Sequence, residues 1–175
     1  PSSIENNSES HSNSTFLIED CIFKSNELHR MGYSYGGALH AQESNGTIIN
    51  SNFTSNKVQV SSLYSPYGGA VSISSSIGSF YKCNFVKNGA YRTGSIEYKD
   101  ASIGGAISFY NALISKIDNF CKSITDCRFV SNEAISDGLY SNGGAIFIQN
   151  QCDLNSTISN SLFYNDVFLL MSQKQ

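Results

Sequence analysis

The sequence predicts an all-β fold: a right-handed, single-stranded parallel β-helix of about four to five rungs. Three observations point there. A Gly-Gly-Ala-aliphatic step occurs as GGAL at 36–39, GGAV at 68–71, GGAI at 104–107 and GGAI at 143–146. A [Cys/Ser]-x-Phe-x-x-Asn segment alternates with it: CIFKSN (21–26), SNFTSN (51–56), CNFVKN (83–88), CRFVSN (127–132) and the variant SLFYND (161–166). Inside both motifs apolar residues recur every second position, which marks short strands and not helices. The glycine steps lie 32, 36 and 39 residues apart, so one repeat fits one rung.

Each element of the repeat has its own reason. In GGAL, GGAV and the two GGAI steps, the fourth and sixth positions face inward. This predicts the ladders Leu39–Val71–Ile107–Ile146 and Ala41–Ile73–Phe109–Ile148. Five residues before each Phe stand Ile18, Ile48, Phe80, Ile124 and Ile158, and the Phe residues themselves form a ladder of Phe23, Phe53, Phe85, Phe129 and Phe163. Between them Asp20, Asn50, Lys82, Asp126 and Asn160 read as a bend joining two short strands.

The glycine pairs Gly36–Gly37, Gly68–Gly69, Gly104–Gly105 and Gly143–Gly144 are structural turns, serving a positive φ or a close backbone approach. They lack the spacing of a phosphate-cradling loop. Asn26, Asn56, Asn88 and Asn132 close the turn after the Phe strand and form an amide ladder.

The distance from Gly-Gly to Phe is 17, 17, 25 and 20 residues, and from Phe to the next Gly-Gly 13, 15, 19 and 14. The motifs are constant and the connections vary, as in stacked coils whose turns accept insertions. A solenoid with two coils of about 16 residues per repeat would not take the 25-residue interval easily. An antiparallel sandwich gives no reason for identical motifs at each turn. Such a coil has a dry inside and a wet outside. The whole chain, 1–175, reads as one repeat domain, with an Asn/Ser-rich edge at 1–15 and a further strand or edge at 167–175. It is read as a mature product or a fragment of a longer protein.

Composition narrows the function. Charged residues make up 14% of the chain, well below the roughly 25% of ordinary domains, and Asn and Ser carry the polar surface. Scattered basic residues and a net charge of −3 argue against nucleic acid as a partner. No apolar run is long enough for a membrane span. Sequons at Asn6, Asn13, Asn45, Asn52 and Asn155 are candidate N-glycosylation sites and point to an extracellular glycoprotein, although an Asn/Ser-rich chain also yields such triplets by chance.

Cys21, Cys83 and Cys127 share a ladder position with Ser51 and Ser161, which asks for a small inward side chain; free buried thiols are the expectation. Cys121 and Cys152 lie in variable segments of adjacent rungs and are the candidate disulfide. No Cys/His spacing suits a metal, no motif calls for a cofactor, and no catalytic residues are assigned. The bend ladder never brings two carboxylates to adjacent rungs, and His11, His29 and His40 accompany no triad pattern. The column Leu17, Thr47, Ser79, Ser123 and Thr157 is too mixed for an ice-binding face.

Strict alternation of GGA[ILV] and FxxN resembles the signature of the polymorphic membrane proteins of chlamydiae, and similar repeats occur in large surface-protein families of protozoa. The resemblance covers nearly the whole chain. It implies a surface-exposed or secreted β-helix; in the chlamydial proteins this is a passenger domain that acts as an adhesin and is exported by a C-terminal membrane barrel. The chain departs from that pattern by ending in FLLMSQKQ and by its sequons and Asn/Ser bias, which suggest a eukaryotic source.

The expected function is therefore non-enzymatic adhesion or surface binding, extracellular or at the cell surface, with a host or matrix protein or a glycan as partner. The alternative is a structural subunit of a fibre, sheath or coat that self-associates end to end. A polysaccharide-active enzyme ranks third. The binding surface is expected in the variable segments 89–103 and 110–122 and among Tyr33, Tyr35, Tyr64, Tyr67, Tyr91, Tyr98 and Tyr140. The plainer reading of these tyrosines is that they anchor loops.

Overall fold

The computed structural model describes residues 14–61, 64–93, 101–110, 121–136, 140–148 and 157–166. They contain 22 short strands and no helix, stacked as a parallel β-helix of about four turns. Each full coil carries five strands. The first has β1 (Ser14–Glu19), β2 (Ile22–Lys24), β3 (Glu27–Arg30), β4 (Ser34–Tyr35) and β5 (Leu39–Gln42). The second has β6 (Ser44–Ile49), β7 (Asn52–Thr54), β8 (Lys57–Val60), β9 (Pro66–Tyr67) and β10 (Val71–Ser74). The third has β11 (Gly78–Tyr81), β12 (Asn84–Val86), β13 (Gly89–Arg92), β14 (Ala101–Ile103) and β15 (Ile107–Tyr110). The fourth has β16 (Cys121–Thr125), β17 (Arg128–Val130), β18 (Glu133–Ser136), β19 (Tyr140–Asn142) and β20 (Ile146–Ile148). A fifth coil begins with β21 (Thr157–Ser159) and β22 (Leu162–Tyr164). Strands five apart in sequence pair in parallel, giving five narrow sheets around one interior.

The register stacks like upon like. Val71 pairs with Leu39 and Ile107, and Ile107 with Ile146. Ile48 pairs with Ile18 and Phe80, followed by Ile124 and Ile158. The five Phe rings stack at 4.7–4.9 Å with their planes within 3–6° of one another. That separation is the strand spacing of a sheet, so the backbone dictates the stack. Phe53, Phe85 and Phe129 are wholly buried. Each ring pair adds about 0.5–1.5 kcal/mol beyond the area it buries.

Left-handed residues turn the corners. Asp20, Asn50, Lys82, Asp126 and Asn160 hold φ between 46° and 54°, and Ser25, Ser55, Lys87, Ser131 and Asn165 between 53° and 56°. This conformation costs a residue with a Cβ about 1–2 kcal/mol, and Asn and Asp tolerate it best. In each glycine pair the two residues do different work. The first, Gly36, Gly68, Gly104 or Gly143, has φ of 59–66°. The second lets coils touch: a Cβ on Gly37, Gly69 or Gly105 would stand 2.0–2.3 Å from the carbonyl oxygen of the glycine one coil on.

Two polar ladders run inside the coil. Asn26, Asn56 and Asn88 each donate from Nδ2 to Oδ1 of the next Asn at 2.8–3.0 Å, and Asn132 donates to Oδ1 of Asp166 at 3.0 Å. The second Nδ2 hydrogen reaches back one coil, from Asn56 to the Phe23 carbonyl, from Asn88 to Phe53 and from Asn132 to Phe85. Each Oδ1 also accepts a backbone N–H, so the amides of Asn56, Asn88 and Asn132 are buried yet satisfied.

The second ladder is Cys21–Ser51–Cys83–Cys127–Ser161. The backbone N–H of Cys21 donates to Ser51 Oγ, that of Cys83 to Cys127 Sγ and that of Cys127 to Ser161 Oγ. Every hydroxyl or thiol in the column donates to the carbonyl two residues earlier. Thiol and hydroxyl perform the same task, which explains their exchange. Cys21, Cys83 and Cys127 are free thiols. The hydrogen bond with Cys83, together with burial, holds the Cys127 thiol above its ordinary range.

Two expectations need correction. The sequence predicts three short strands per repeat, one in the glycine step and two around the bend, with variable segments between the motifs, whereas five strands form per full coil. Segment 89–103 contains β13 and β14, and β3, β8, β13 and β18 each start directly after an Asn of the ladder. These strands escape notice because their outward positions vary freely. The outside is also not uniformly wet. On the outer side of the β5–β10–β15–β20 sheet, Ser72, Ser108 and Phe147 are buried, while their column neighbour His40 is exposed.

Candidate functional site

That dry outer strip lies just after the glycine step, and through Phe147 it meets the sheet that precedes the step. The β4–β9–β14–β19 sheet presents the register column Tyr35–Tyr67–Ile103–Asn142. Tyr67 packs against Ile103 and Phe147, forming a small second core outside the coil. The positive φ of the first glycine sets the direction in which β5, β10 and β15 leave this corner.

Tyrosines gather at the corner. Tyr35, Tyr67 and Tyr110 stack on one another with centroids 4.7–5.5 Å apart and planes 8–29° apart. The Tyr110 hydroxyl donates to the Tyr35 hydroxyl at 3.2 Å. His40 stacks on Tyr35 at 5.0 Å, and its Nδ1 lies 3.3 Å from the Ser72 carbonyl, close enough to donate to it. Tyr33 stands 6.3 Å from Tyr35, and Tyr64 meets Tyr33 at 4.6 Å with a 56° tilt. Tyr33 and Tyr64 are 53% and 40% exposed, so their rings form the outer layer, and the three half-buried rings form the layer beneath.

The electrostatics of this corner are quiet. Burial, then the hydrogen bond with Tyr110, pushes the Tyr35 phenol far above its ordinary value, so it stays protonated. Burial pushes the His40 imidazole down, against the opposing pull of the Ser72 carbonyl, which keeps it neutral around pH 7.

The structure thus brings together Tyr33, Tyr35, Tyr64 and Tyr67 of the tyrosines named from sequence. Tyr91 lies on the β3–β8–β13–β18 sheet, beside a charged strip. Its hydroxyl donates to Glu133 Oε1, Lys57 Nζ sits 5.8 Å from its ring, and Lys57 pairs with Glu27 at 2.8 Å. Tyr98 and the side chain of Tyr140 lie outside the described residues, as does segment 111–120. Comparisons with protein-family models, curated proteins and solved structures gave no match. The aromatic corner therefore has to be read from its own geometry.

Sequence reasoning places position 110 at the start of the candidate binding segment 110–122 but does not group Tyr110 with the tyrosines beside the glycine step, and it misses the placement of His40. The signal was available in the alternation: Phe109 points inward, so Tyr110 beside it points outward. The other assigned positions are structural in placement. The glycine pairs and the Asn ladder form corners and interior. Asn45 Oδ1 accepts the Ile77 N–H, and exposed Asn52 accepts a hydrogen bond from Asn84 Nδ2. Asn6, Asn13, Asn155 and the Cys121–Cys152 pairing fall outside the described residues.

In the bend ladder, Asn50 Nδ2 donates to Asp20 Oδ1 at 2.5 Å, and Lys82 Nζ lies over the Tyr81 ring at 4.9 Å. Among the described residues, no three His, Cys, Asp or Glu side chains converge as a metal site, and no helix is long and apolar enough to cross a membrane.

Proposed function

We propose that the chain is a non-enzymatic binding module that acts in adhesion, displayed outside the cell or at its surface, with repeats of the polymorphic membrane protein type. The aromatic corner carries this reading. A rigid stack of rings supports two exposed tyrosines at a cost in ordering entropy that is already met by the fold. Neighbouring coils differ at these outer positions while their interiors repeat, which is the arrangement of a scaffold that displays a surface. The carboxylates of the bend ladder, Asp20 and Asp126, are three coils apart, with Asn50 and Lys82 between them, so that ladder offers no adjacent acid–base pair.

Beads coated with the purified chain should be retained by cultured cells or extracellular matrix, and beads coated with the Tyr33→Ala/Tyr64→Ala double variant should be lost. Failure of the unaltered chain to retain beads on any cell or matrix surface would overturn the proposal.

A fibre or coat subunit is the second reading. It is favoured by exposed apolar side chains on the outer faces of the first and last coils: Leu17, Ile22, Leu162 and Tyr164. Filaments seen by electron microscopy of the purified chain would replace adhesion by this reading.

A further inference from the structure

We infer that the aromatic corner is a carbohydrate site that takes a neutral pyranose oligosaccharide across the outer rings of Tyr33 and Tyr64. The inference rests on the adhesion reading and deepens it by naming the ligand class.

Four observations carry it. The ring contacts of the corner join five phenols and one imidazole, so each ring has an apolar face and a polar tip. A pyranose has the matching anatomy, with a C–H face that lies on an aromatic ring and hydroxyls around its rim. The two exposed rings are tilted by 56°, so they offer faces at two angles and not one flat apolar plane. A flat plane would suit an aliphatic protein surface better.

The layer beneath is fixed by mutual stacking and by the Tyr110–Tyr35 hydrogen bond, so Tyr33 rests on a preorganised floor and Tyr64 leans on Tyr33. The rings of the corner are themselves uncharged around pH 7, five phenols and one imidazole. The charges of the outer surface that are seen paired, Glu27 with Lys57 and Glu133 with Tyr91, stand on a different sheet. Uncharged rings offer a sugar stacking and hydrogen bonding, whereas acidic glycans and phosphates call for clustered Arg and Lys.

The test measures binding of the purified chain to immobilised neutral hexose and N-acetylhexosamine oligosaccharides, with sialylated and sulfated ones alongside. Bead adhesion to cells is measured in parallel. Binding to neutral oligosaccharides is expected, and the Tyr33→Ala/Tyr64→Ala variant should bind about tenfold more weakly or not at all. Because both side chains lie at the surface, thermal unfolding of the variant should stay close to that of the parent, which separates lost contact from lost fold. The Tyr33→Phe/Tyr64→Phe variant keeps the ring faces and should keep most of the binding. Loss of binding there would overturn stacking as its basis.

Several results would overturn the inference. One is adhesion that depends on Tyr33 and Tyr64 without binding to any oligosaccharide; the adhesion reading would then stand with a protein partner. Another is preference for the sulfated or sialylated glycans. Glycan binding without cell adhesion would support the carbohydrate site and overturn the adhesion reading.

Discussion

The chain uses aromatic rings in two ways, and the contrast is instructive. Inside, five Phe rings repeat at 4.7–4.9 Å and within 6° of parallel, because each sits at the same register position of a paired strand. Outside, the Tyr rings lie 4.6–6.3 Å apart with tilts of 8–56°. They come from different strands and from segments between them. The interior stack is imposed by the backbone ladder; the outer cluster is assembled by side chains that pack wherever a corner is concave. The first is available to every coil. The second belongs to the first three coils, which contribute Tyr35, Tyr67 and Tyr110.

Replacing one ring in each region should break this contrast open. Phe85→Ala removes the middle ring of the ladder and leaves a cavity with no exit to solvent. Destabilisation of about 3–5 kcal/mol is expected, read by chemical denaturation. A loss below 1 kcal/mol would mean that the coil collapses around the gap and that the ladder is not a fixed column. Tyr110→Phe deletes only the outer hydroxyl pair, and about 0.5–1.5 kcal/mol is expected by the same measurement. A loss as large as that of Phe85→Ala would show that the Tyr35–Tyr67–Tyr110 stack holds the fold as the interior does and is not a surface platform.

The smallest effect concerns the end of the Asn ladder. Asp166 accepts from the N–H and Nδ2 of Asn132 and from the Tyr164 N–H, but burial outweighs these bonds and holds its carboxyl above the ordinary value. The folded chain therefore binds this proton more readily than the unfolded chain. Between the unfolded and the raised folded values, stability should rise as pH falls and decline as pH rises. Comparing unfolding across mildly acidic pH for the parent and Asp166→Asn tests this. The variant should lose that part of the slope, and an unchanged slope would assign it to other carboxylates.

Much of the interior was legible. Alternation inside GGAI and around FxxN placed Ile107, Phe109, Ile124 and Phe129 in their columns, because a side chain on a strand has only two directions to choose from. Less of the outer corner could be read. Tyr33, Tyr35, Tyr64 and Tyr67 stood out as residues near the glycine step, but nothing in their spacing separated them from Tyr91, which the register carries to another sheet beside Glu133. Tyr110 stands at the start of the variable segment 110–122, after a core motif, and nothing in the spacing ties it to these tyrosines.

The sequence by itself determined the repeat, the coil, the inward ladders and the need for glycine at each step, since these follow from local rules restated once per turn. Only the tertiary structure decided that Tyr67 of β9 and Ile103 of β14 pack with Phe147 of β20 and that the tyrosines gather at this corner. The reason is physical. Ladder positions are fixed by backbone hydrogen bonds between residues one repeat apart, a relation visible as periodicity. The corner depends on the angle at which two sheets meet, and no period in the chain encodes that angle.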